Sequence, residues 1–232
     1  MVNKKKILTF ISAVVLSASL WAQAPKGNGS NIKDVEGNTY KTVQIGTQVW
    51  MAENLKTSKY SDGSTISNIT DNTQWKNNTT GAWCYNDNDT ANNAKYGKLY
   101  NWYAVSKTMN GDKNICPTGW HVPKNAEWMI LTDYLGGLSV AGGKMKEVDS
   151  WPSSIYSNTD SNKVSLFASV PGGYRYGDGD YRDIGHSSYW WSSSENYENF
   201  TCYFFLHGID GKAYRGNLGT RDSGYSVRCL RD

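Results

Sequence analysis

The sequence predicts a single α+β domain, and three features support that class. Residues 95–109 and 126–135 carry the apolar spacing of helices, and the stretches around them alternate like short strands. A long polar, glycine-rich interval separates the second helix from a β-rich end. Trp (10) and Tyr (16) are abundant, which predicts a core built from large aromatic rings.

The N-terminus has the parts of a secretory signal peptide. Lys4–Lys6 precede an apolar run over residues 7–20, and small residues lie near Ala22. The run is shorter than the roughly 18 residues that a membrane span needs, so no transmembrane segment is expected after cleavage. We therefore predict a signal peptide (1–22), a flexible leader (23–33) and one domain (34–232), located in the periplasm, at the cell surface or in the secreted fraction.

The charge of the mature chain limits its partners. The full sequence has 24 Lys and Arg against 21 Asp and Glu, and residues 1–22 contain three lysines and no acid. The mature chain would therefore carry 21 bases and 21 acids. A neutral chain without a basic stripe is not expected to bind nucleic acid.

The first predicted elements are a hairpin, a loop and a helix. Tyr40–Ile45 and Gln48–Met51 are β-prone runs on either side of Gly46. Residues 57–81 are rich in Ser, Asn and Thr and predict a long loop. Within residues 95–109 one helix face is predicted to carry Leu99, Trp102, Tyr103, Ser106 and Met109.

The second half begins with a helix and ends in strands. Ala126–Leu135 predicts the second helix, which Gly136 and Gly137 end. From there to about Ser188 the chain is expected to be mostly irregular, apart from one strand-like run, VSLFASV. The four closing strand candidates are YWWSSSE, TCYFFLHGID, KAYRGNL and GYSVRCLRD.

The cysteines and histidines favour disulfides over metal or catalytic chemistry. Four cysteines in an exported chain predict disulfide pairing, and three connectivities remain open: the residues are Cys84, Cys116, Cys202 and Cys229. The three histidines are widely separated and no CxxC pair occurs, which disfavours zinc. The SSSE segment lacks the GxSxG setting of a nucleophilic serine, and no glycine pair is followed by GK[ST].

Two acidic segments are candidate calcium sites. They offer Asp178, Asp180 and Asp183 in GDGDYRD, and Asp87 and Asp89 in YNDNDTANN. Calcium takes six to eight oxygen ligands in flexible geometry, which such loops can supply. Neither segment has the glutamate of an EF-hand, and ordinary turns explain the same residues. Apart from calcium, no cofactor is indicated.

A group of aromatic residues in and after the long loop is a candidate ligand platform. Their rings can stack on sugar faces, or can pack within the core and the loop. The candidates are Tyr174, Tyr176, Tyr181, Tyr189 and Trp190.

Several separated segments together resemble one bacterial family. In chain order they are WCYNDNDTANNAKYGKLYNWYAV, CPTGWHVPKNAEW, VPGGYRYGDGDYRD, YWWSSSE and YSVRCLRD. They resemble the Fibrobacter succinogenes major paralogous domain, found in exported proteins of Bacteroidetes and Fibrobacteres. This resemblance, over roughly residues 33–232, implies an exported bacterial protein and no established activity.

A more distant resemblance concerns the fold. The GWHVPKNAEW segment and the closing VRCLRD are similar to segments of sulfatase-modifying-factor domains, which have the C-type-lectin-like fold. That similarity implies two helices, adjacent N- and C-terminal strands, a long loop region, and the pairs Cys116–Cys229 and Cys84–Cys202. It implies no catalysis, because the cysteine motif of those enzymes is not matched here.

The same relatives place a helix cap in this segment. They carry Ser or Thr after the proline and Glu three residues later, which is a capping box. Here Glu127 is present but Lys124 replaces the hydroxyl residue, so half of the box is missing or Asn125 caps one residue later. Trp120 and Trp128 are expected to be buried.

These observations lead to an expected function. We expect an exported, non-enzymatic binding or adhesion module whose ligand is a glycan or a surface protein. One alternative is a carbohydrate-active or protein-modifying enzyme that uses carboxylates of residues 172–195. The other is a structural subunit of a surface assembly. The sugar-chelating sequence signatures of C-type lectins are absent from this chain.

Overall fold

The structure is a computed structural model that describes residues 31–147, 149–152, 167–195 and 200–232. In this part the chain forms three sheets and six short α-helices, which confirms the α+β class. None of the described helices is long and apolar enough to cross a bilayer. The predicted signal peptide and residues 23–30 of the leader lie outside the described residues.

The elements follow each other in this order. The strands are β1 (Asn31–Lys33), β2 (Thr39–Ile45), β3 (Gln48–Met51), β4 (Ser67–Asn68), β5 (Ala82–Tyr85), β6 (Lys98–Tyr100), β7 (Trp120–His121), β8 (Gly172–Arg175), β9 (Tyr181–Ile184), β10 (Ser187–Glu195), β11 (Thr201–His207), β12 (Ala213–Gly219) and β13 (Leu230–Arg231). The helices are α1 (Asn72–Asn77), α2 (Asn92–Tyr96), α3 (Trp102–Val105), α4 (Lys107–Asn110), α5 (Asn125–Tyr134) and α6 (Leu138–Met145).

The first sheet has the strand order β1-β2-β3-β13-β7 and joins both ends of the domain. The predicted hairpin is confirmed as β2 and β3, and its turn uses Gly46 at a positive φ of 61°. Leu230 of β13 pairs with both Trp50 and His121, so the N- and C-terminal strands are adjacent, as the fold resemblance implied. Strand β1 pairs with β2, so Asn31–Lys33, inside the predicted flexible leader, belong to the sheet.

The second sheet has the order β12-β11-β10-β8-β9. Three of the closing strand candidates are confirmed as β10, β11 and β12, whereas the fourth contributes only Leu230–Arg231 as regular strand. Part of the VSLFASV run lies outside the described residues.

The prediction of irregular chain between the second helix and Ser188 is wrong where the structure describes it. Helix α6 and strands β8 and β9 occupy this interval. Two of its glycines mark close packing of the backbone rather than loops. A side chain on Gly142 would collide with the carbonyl of Lys212, and one on Gly173 would collide with the carbonyl of Arg182.

The third sheet, β4-β5-β6, replaces part of a predicted helix. The chain is extended at Lys98–Tyr100, and the helix starts only after Asn101, whose side chain accepts from Ala104 N at 3.1 Å. Gly97, at a φ of 72°, separates this strand from α2. The single helix over residues 95–109 was therefore wrong, and the 57–81 segment, predicted as a loop, contains β4 and α1.

Helix α5 packs large rings against the inner face of the second sheet. This helix was predicted within one residue at each end. Trp128 is fully buried, stacks on Phe204 with ring centroids 4.9 Å apart, and lies 4.8 Å from the Trp50 ring. Trp120 is buried as well, so the prediction of an aromatic core is confirmed.

The N-terminus of α5 is capped from another element. Glu127 accepts from Lys124 N at 2.7 Å, which is the expected half of the capping box. The lysine side chain has no acceptor atom, and Asn125 does not take over the cap. Instead, Ser194 Oγ of β10 accepts from Asn125 N at 2.9 Å, so a strand supplies the missing hydroxyl.

One of the two predicted disulfides is present. Cys116 and Cys229 are bonded across a sequence separation of 113 residues, as the fold resemblance implied. The Cys84–Cys202 pair is wrong: both thiols are free and buried. Cys84 packs in the third sheet with Trp75 and Leu99, whereas Cys202 lies on β11 of the second sheet. Burial raises the pKa of the Cys84 thiol.

Arg228 carries a charge into the centre of the domain. Its side chain is fully buried, and its Nε and Nη2 donate to Asn54 Oδ1 at 3.2 and 2.9 Å. Nη1 donates to the carbonyl of Phe167, whose ring lies 4.3 Å from the guanidinium. Among the described residues no carboxylate forms an ion pair with it. Burial accordingly lowers the pKa of Arg228 to about 9.

We predict that Arg228→Ala destabilises the domain strongly. The change removes hydrogen bonds to two segments, removes a cation–π contact and leaves a cavity, so the free energy of unfolding should fall by about 3 kcal/mol or more. The matched control is Arg231→Ala, because Arg231 is exposed. Its effect should stay within about 0.5 kcal/mol in urea denaturation. Equal losses in the two variants would contradict this account.

We also predict that the cap from β10 contributes measurably. Ser194→Ala should lower the free energy of unfolding by about 1 kcal/mol, since Asn125 N loses its acceptor. Ser193→Ala on the same strand serves as the control, since the main chain of that residue, not its hydroxyl, bonds to Pro123. Thermal unfolding of both variants measures the difference. A control that loses as much as Ser194→Ala would argue against the cap.

Candidate functional site

A row of aromatic side chains crosses the second sheet on the face away from α5. Tyr214 of β12 pairs directly with Phe205 of β11, and Phe205 pairs with Tyr189 of β10. Tyr174 of β8 lies next to Tyr189 and pairs with Arg182 of β9. We call these four rings, together with Arg182, the aromatic row. The row runs perpendicular to the five strands of the sheet. Its four rings are half-buried, and the Arg182 side chain is exposed.

Strand alternation produces the row. Along β11 the residues Cys202, Phe204 and Leu206 are buried, whereas Tyr203 and Phe205 are partly exposed. Successive side chains of a strand point to opposite faces of the sheet. Residues that pair directly on adjacent strands lie on the same face, so such pairs form a continuous row across the sheet. The face toward α5 carries one core cluster, whereas on the other face Trp191 is buried too, and Tyr174, Tyr189 and Tyr203 are partly buried against a second cluster.

The rings of the row stack on one another. The centroids of Tyr214 and Phe205 are 4.8 Å apart with an interplanar angle of 14°, and those of Phe205 and Tyr189 are 5.3 Å apart at 11°. Tyr174 continues the row at 4.5 Å from Tyr189, tilted by 52°. Ring faces in the middle of the row are therefore covered by neighbouring rings.

Further rings support the row from one side. Tyr225 is buried and stacks on Tyr189 at 5.5 Å, and its ring lies 5.0 Å from that of Tyr203. The Tyr203 ring in turn covers Gly216, where any side chain would collide with it. These contacts hold the row in one arrangement, because each ring is packed on at least one other ring.

The hydroxyls of the row are held in the neutral form. Burial raises the pKa of Tyr174, Tyr189 and Tyr203, and the carboxylate of Asp183 raises that of Tyr174 and Tyr189 further. A hydrogen bond to Asp210 raises the pKa of Tyr214. Tyr189 donates to Asp183 Oδ2 at 3.2 Å. Neutral phenols can both donate and accept hydrogen bonds, which suits a polar ligand surface.

The predicted aromatic platform is only partly brought together. Tyr174 and Tyr189 belong to the row, and Tyr176 is 44% exposed beside it, with the Arg182 guanidinium 4.3 Å from its ring. Trp190 lies in the core, fully buried on the opposite face, so it follows the core-packing alternative and is not part of a surface platform. Tyr181 pairs with Arg175 on the opposite face of β9 and donates to Asn88 Oδ1 at 2.7 Å, away from the row.

Sequence reasoning missed three of the residues that form this surface. Tyr203, Phe205 and Tyr214 lie on predicted strands, but they were not considered as ligand contacts. Their signal was the alternation in TCYFFLH, where every second residue is Tyr, Phe or His. That alternation identifies one face of a strand but not which face is exposed.

A comparison with protein families identifies the family of this chain. Residues 43–231 match the Fibrobacter succinogenes major domain. The chain belongs to this family. The resemblance of the five motifs to that family is thereby confirmed. Comparisons with curated proteins and with solved structures found no match.

The matched range of this Fibrobacter succinogenes major domain contains the whole aromatic row and excludes β1. Two of the family motifs supply the row directly, since Tyr174 and Arg182 lie in VPGGYRYGDGDYRD and Tyr189 opens YWWSSSE. A third, YSVRCLRD, supplies the supporting Tyr225. Three of the five motifs thus contribute residues to one side of the second sheet.

The candidate calcium residues of this Fibrobacter succinogenes major domain are engaged separately. Asp178 forms an ion pair with Arg182 at 2.8 Å, and Asp180 accepts from Asn72 at 3.2 Å. Asp89 accepts from Ala91 N in a tight turn, and Asp183 accepts from Tyr189. Asp87 occupies the 3-10 turn at Asn86–Asn88 with a φ of 53°. The described residues contain no group of three or more His, Cys, Asp or Glu side chains arranged for a metal ion.

A polar cavity of about 590 Å³ lies near the start of α5. In it His121 contacts two carboxylates, with Nδ1 2.6 Å from Asp232 and Nε2 3.0 Å from Glu127. Glu195 accepts from Ser106 and Thr108, both at 3.0 Å. Both ring nitrogens of His121 are thus within hydrogen-bond distance of carboxylates. Among the acids of residues 172–195 that were considered for catalysis, Glu195 is the one that lines this cavity.

Proposed function

We propose that this chain is an exported, non-enzymatic binding module that recognises a protein surface through the aromatic row. The observation that carries the proposal is the in-register contact of four partly exposed rings on the face of the second sheet away from α5. Patches of this kind on a protein surface are typical of interaction sites. An exported location is supported by the N-terminal sequence and by the Cys116–Cys229 disulfide.

The ring geometry favours a protein ligand over a glycan. A sugar ring stacks on an aromatic face, and the faces in the middle of this row are taken by neighbouring rings. The partly exposed rings, three of which carry a hydroxyl, instead provide amphipathic contact. Tyrosine supplies such area at low entropic cost, because its side chain has few rotatable bonds and is here fixed by packing.

Charges around the row add directional contacts. Arg182 lies at one end, Asp183 and Asp210 receive two of the hydroxyls, and His207 packs against Phe205 at 6.5 Å between ring centroids. Aromatic rings surrounded by such polar groups match the composition of protein–protein interfaces, in which Tyr and Arg are enriched.

We also propose that the architecture is C-type-lectin-like. The arguments are the adjacent N- and C-terminal strands, the helix that follows GWHVP, and a second sheet inserted between that helix and the closing strand. The observed chain contains six short helices rather than two long ones, and two of them, α5 and α6, have eight residues or more.

Binding to the cell envelope tests the proposed function. The mature chain, residues 23–232, is incubated with envelope fractions of the source bacterium, and the bound amount is measured against concentration. Phe205→Asn with Tyr214→Asn should weaken binding at least about tenfold, since central aromatic contacts dominate interface energies. The control is Ile130→Asn, because Ile130 is 49% exposed on α5, on the other side of the sheet.

Two treatments of the envelope identify the ligand class. Protease should abolish binding, and periodate, which cleaves sugar diols, should leave it unchanged. Loss after periodate alone would overturn the protein ligand in favour of a glycan. Unchanged binding by the double variant, with thermal unfolding like that of the control, would overturn the aromatic row as the contact surface.

A further inference from the structure

Four parts of the chain line the polar cavity at the start of α5. Ser106 and Thr108 come from the junction of α3 and α4, His121 from β7, Glu195 from the end of β10, and Asp232 from the segment after β13. The cavity volume of about 590 Å³ is typical of small-molecule pockets, which measure about 300–1,000 Å³. The folded domain thus brings polar groups from distant parts of the sequence to one cavity.

The wall at Glu195 is fixed by two hydroxyl groups. Ser106 is only 4% exposed, and its Oγ donates to Glu195 Oε1 at 3.0 Å. Thr108 Oγ1 donates to the same carboxylate oxygen at 3.0 Å. One oxygen of Glu195 therefore receives both hydroxyls, while the side chain itself is exposed. The other oxygen, Oε2, accepts no hydrogen bond from the described residues.

The opposite wall contains His121 and its two carboxylates. The ring Nε2 lies 3.0 Å from Glu127 Oε1, and Glu127 Oε2 accepts from Lys124 N at 2.7 Å. Both oxygens of Glu127 are therefore engaged. Asp232 contacts Nδ1 of the ring through Oδ1 alone, at 2.6 Å, and its side chain is 61% exposed. Within the described ranges no donor lies against Asp232 Oδ2.

The cavity thus presents two carboxylates that no lysine or arginine neutralises. Lys107 and Lys124 also line it, but both are exposed, and neither forms an ion pair with Glu195 or Asp232 in the described part of the chain. Each of the two acids keeps one oxygen available for a donor. A cation that donates several hydrogen bonds matches such a site, because charge-assisted hydrogen bonds are the strong ones.

The chemistry of the lining favours an organic cation of planar shape. The described residues offer no group of three or more side chains arranged for a metal ion. A guanidinium group has five N–H donors in a rigid plane, and this geometry fits carboxylates better than the single point charge of an ammonium group.

We propose that this cavity is a binding site for a guanidinium group, which donates to the available oxygens of Glu195 and Asp232. The ligand is either a free guanidino compound or an arginine side chain of a peptide, and both present the same group. None of the residues of the aromatic row lines the cavity. The inference therefore goes beyond the proposed function and does not depend on it.

Two matched pairs of probes test the site on the mature chain, residues 23–232, by isothermal titration calorimetry at low ionic strength. The first pair is acetyl-Gly-Arg-Gly-amide and the same peptide with citrulline, whose uncharged urea group has nearly the shape of guanidinium. The second pair is butylguanidinium and butylurea. Each guanidinium probe should bind at least about tenfold more tightly than its urea counterpart.

The two pairs also distinguish the source of the ligand. Tighter binding of the arginine peptide than of butylguanidinium identifies a peptide ligand. Equal or tighter binding of butylguanidinium identifies a free guanidino compound.

Substitutions that remove one charge at a time supply the matched test on the protein. Glu195→Gln and Asp232→Asn each keep an oxygen for the neighbouring Thr108 or His121. Each should weaken binding of the arginine peptide at least about fivefold and leave the citrulline peptide unchanged. Asp133→Asn removes the same charge at an exposed position of α5 outside the cavity and should bind like the unchanged protein. Thermal unfolding of the three variants separates loss of binding from loss of fold.

Three results would overturn the guanidinium site. They are the absence of binding by both guanidinium probes, equal binding of the arginine and citrulline peptides, and a loss in Asp133→Asn as large as that in Glu195→Gln. None of them bears on the envelope experiment, because Phe205 and Tyr214 do not line the cavity. The aromatic row and the guanidinium site can therefore fail separately.

Discussion

The segment from Tyr225 to Leu230 contacts all three sheets, and the rest of the structure depends on it. Val227 and Cys229 accept from Leu55 and Met51 beside the first sheet, while Tyr225 exchanges hydrogen bonds with Tyr100 of the third. Ser226 bridges to Trp190 of the second. Arg228 extends from this segment into the core, where carbonyl and amide oxygens and aromatic rings replace a counter-ion. An unpaired buried cation is costly, so its oxygen partners must be held in place by the surrounding fold.

The candidate surface is a consequence of that arrangement. Tyr225 contacts Tyr174, Tyr189 and Tyr203 from below, and the same residue pairs with the third sheet. A second buried cation, Arg175, donates to Gly179, Ile69 and Thr70 carbonyls and so joins the second sheet to the segment before α1. The rings of the aromatic row therefore rest on a part of the core that two fully buried arginines, Arg175 and Arg228, hold in place.

Local patterns in the sequence predicted the elements whose partners are nearby in the chain. The β2–β3 hairpin, α5, and the three strands β10 to β12 follow from alternation, helical spacing and turn residues. The failures have non-local causes. The spacing of Lys98–Tyr100 predicts a helix, but these residues pair with β5. Gly173 is typical of a loop, but it lies in a strand where a neighbouring carbonyl leaves no room for a side chain. Ser194 caps a helix whose first residue is 69 positions away in the chain. The strands that carry the candidate site could be predicted from the sequence. Tertiary packing decides which face of these strands stays exposed, and the sequence pattern does not show this.

The central segment contacts residues that are far away in the sequence, and this affects how the domain unfolds. Asn54 and Arg228 are 174 residues apart, and the disulfide joins positions 113 residues apart. Contacts of such separation form late and slowly in folding, and their loss is not confined to one element. Because the segment contacts all three sheets, it can detach only when those contacts break together. Local unfolding is therefore expected in other parts of the domain. The rings that rest on it are packed in place by the fold, so the association proposed for the aromatic row would lose little ordering entropy.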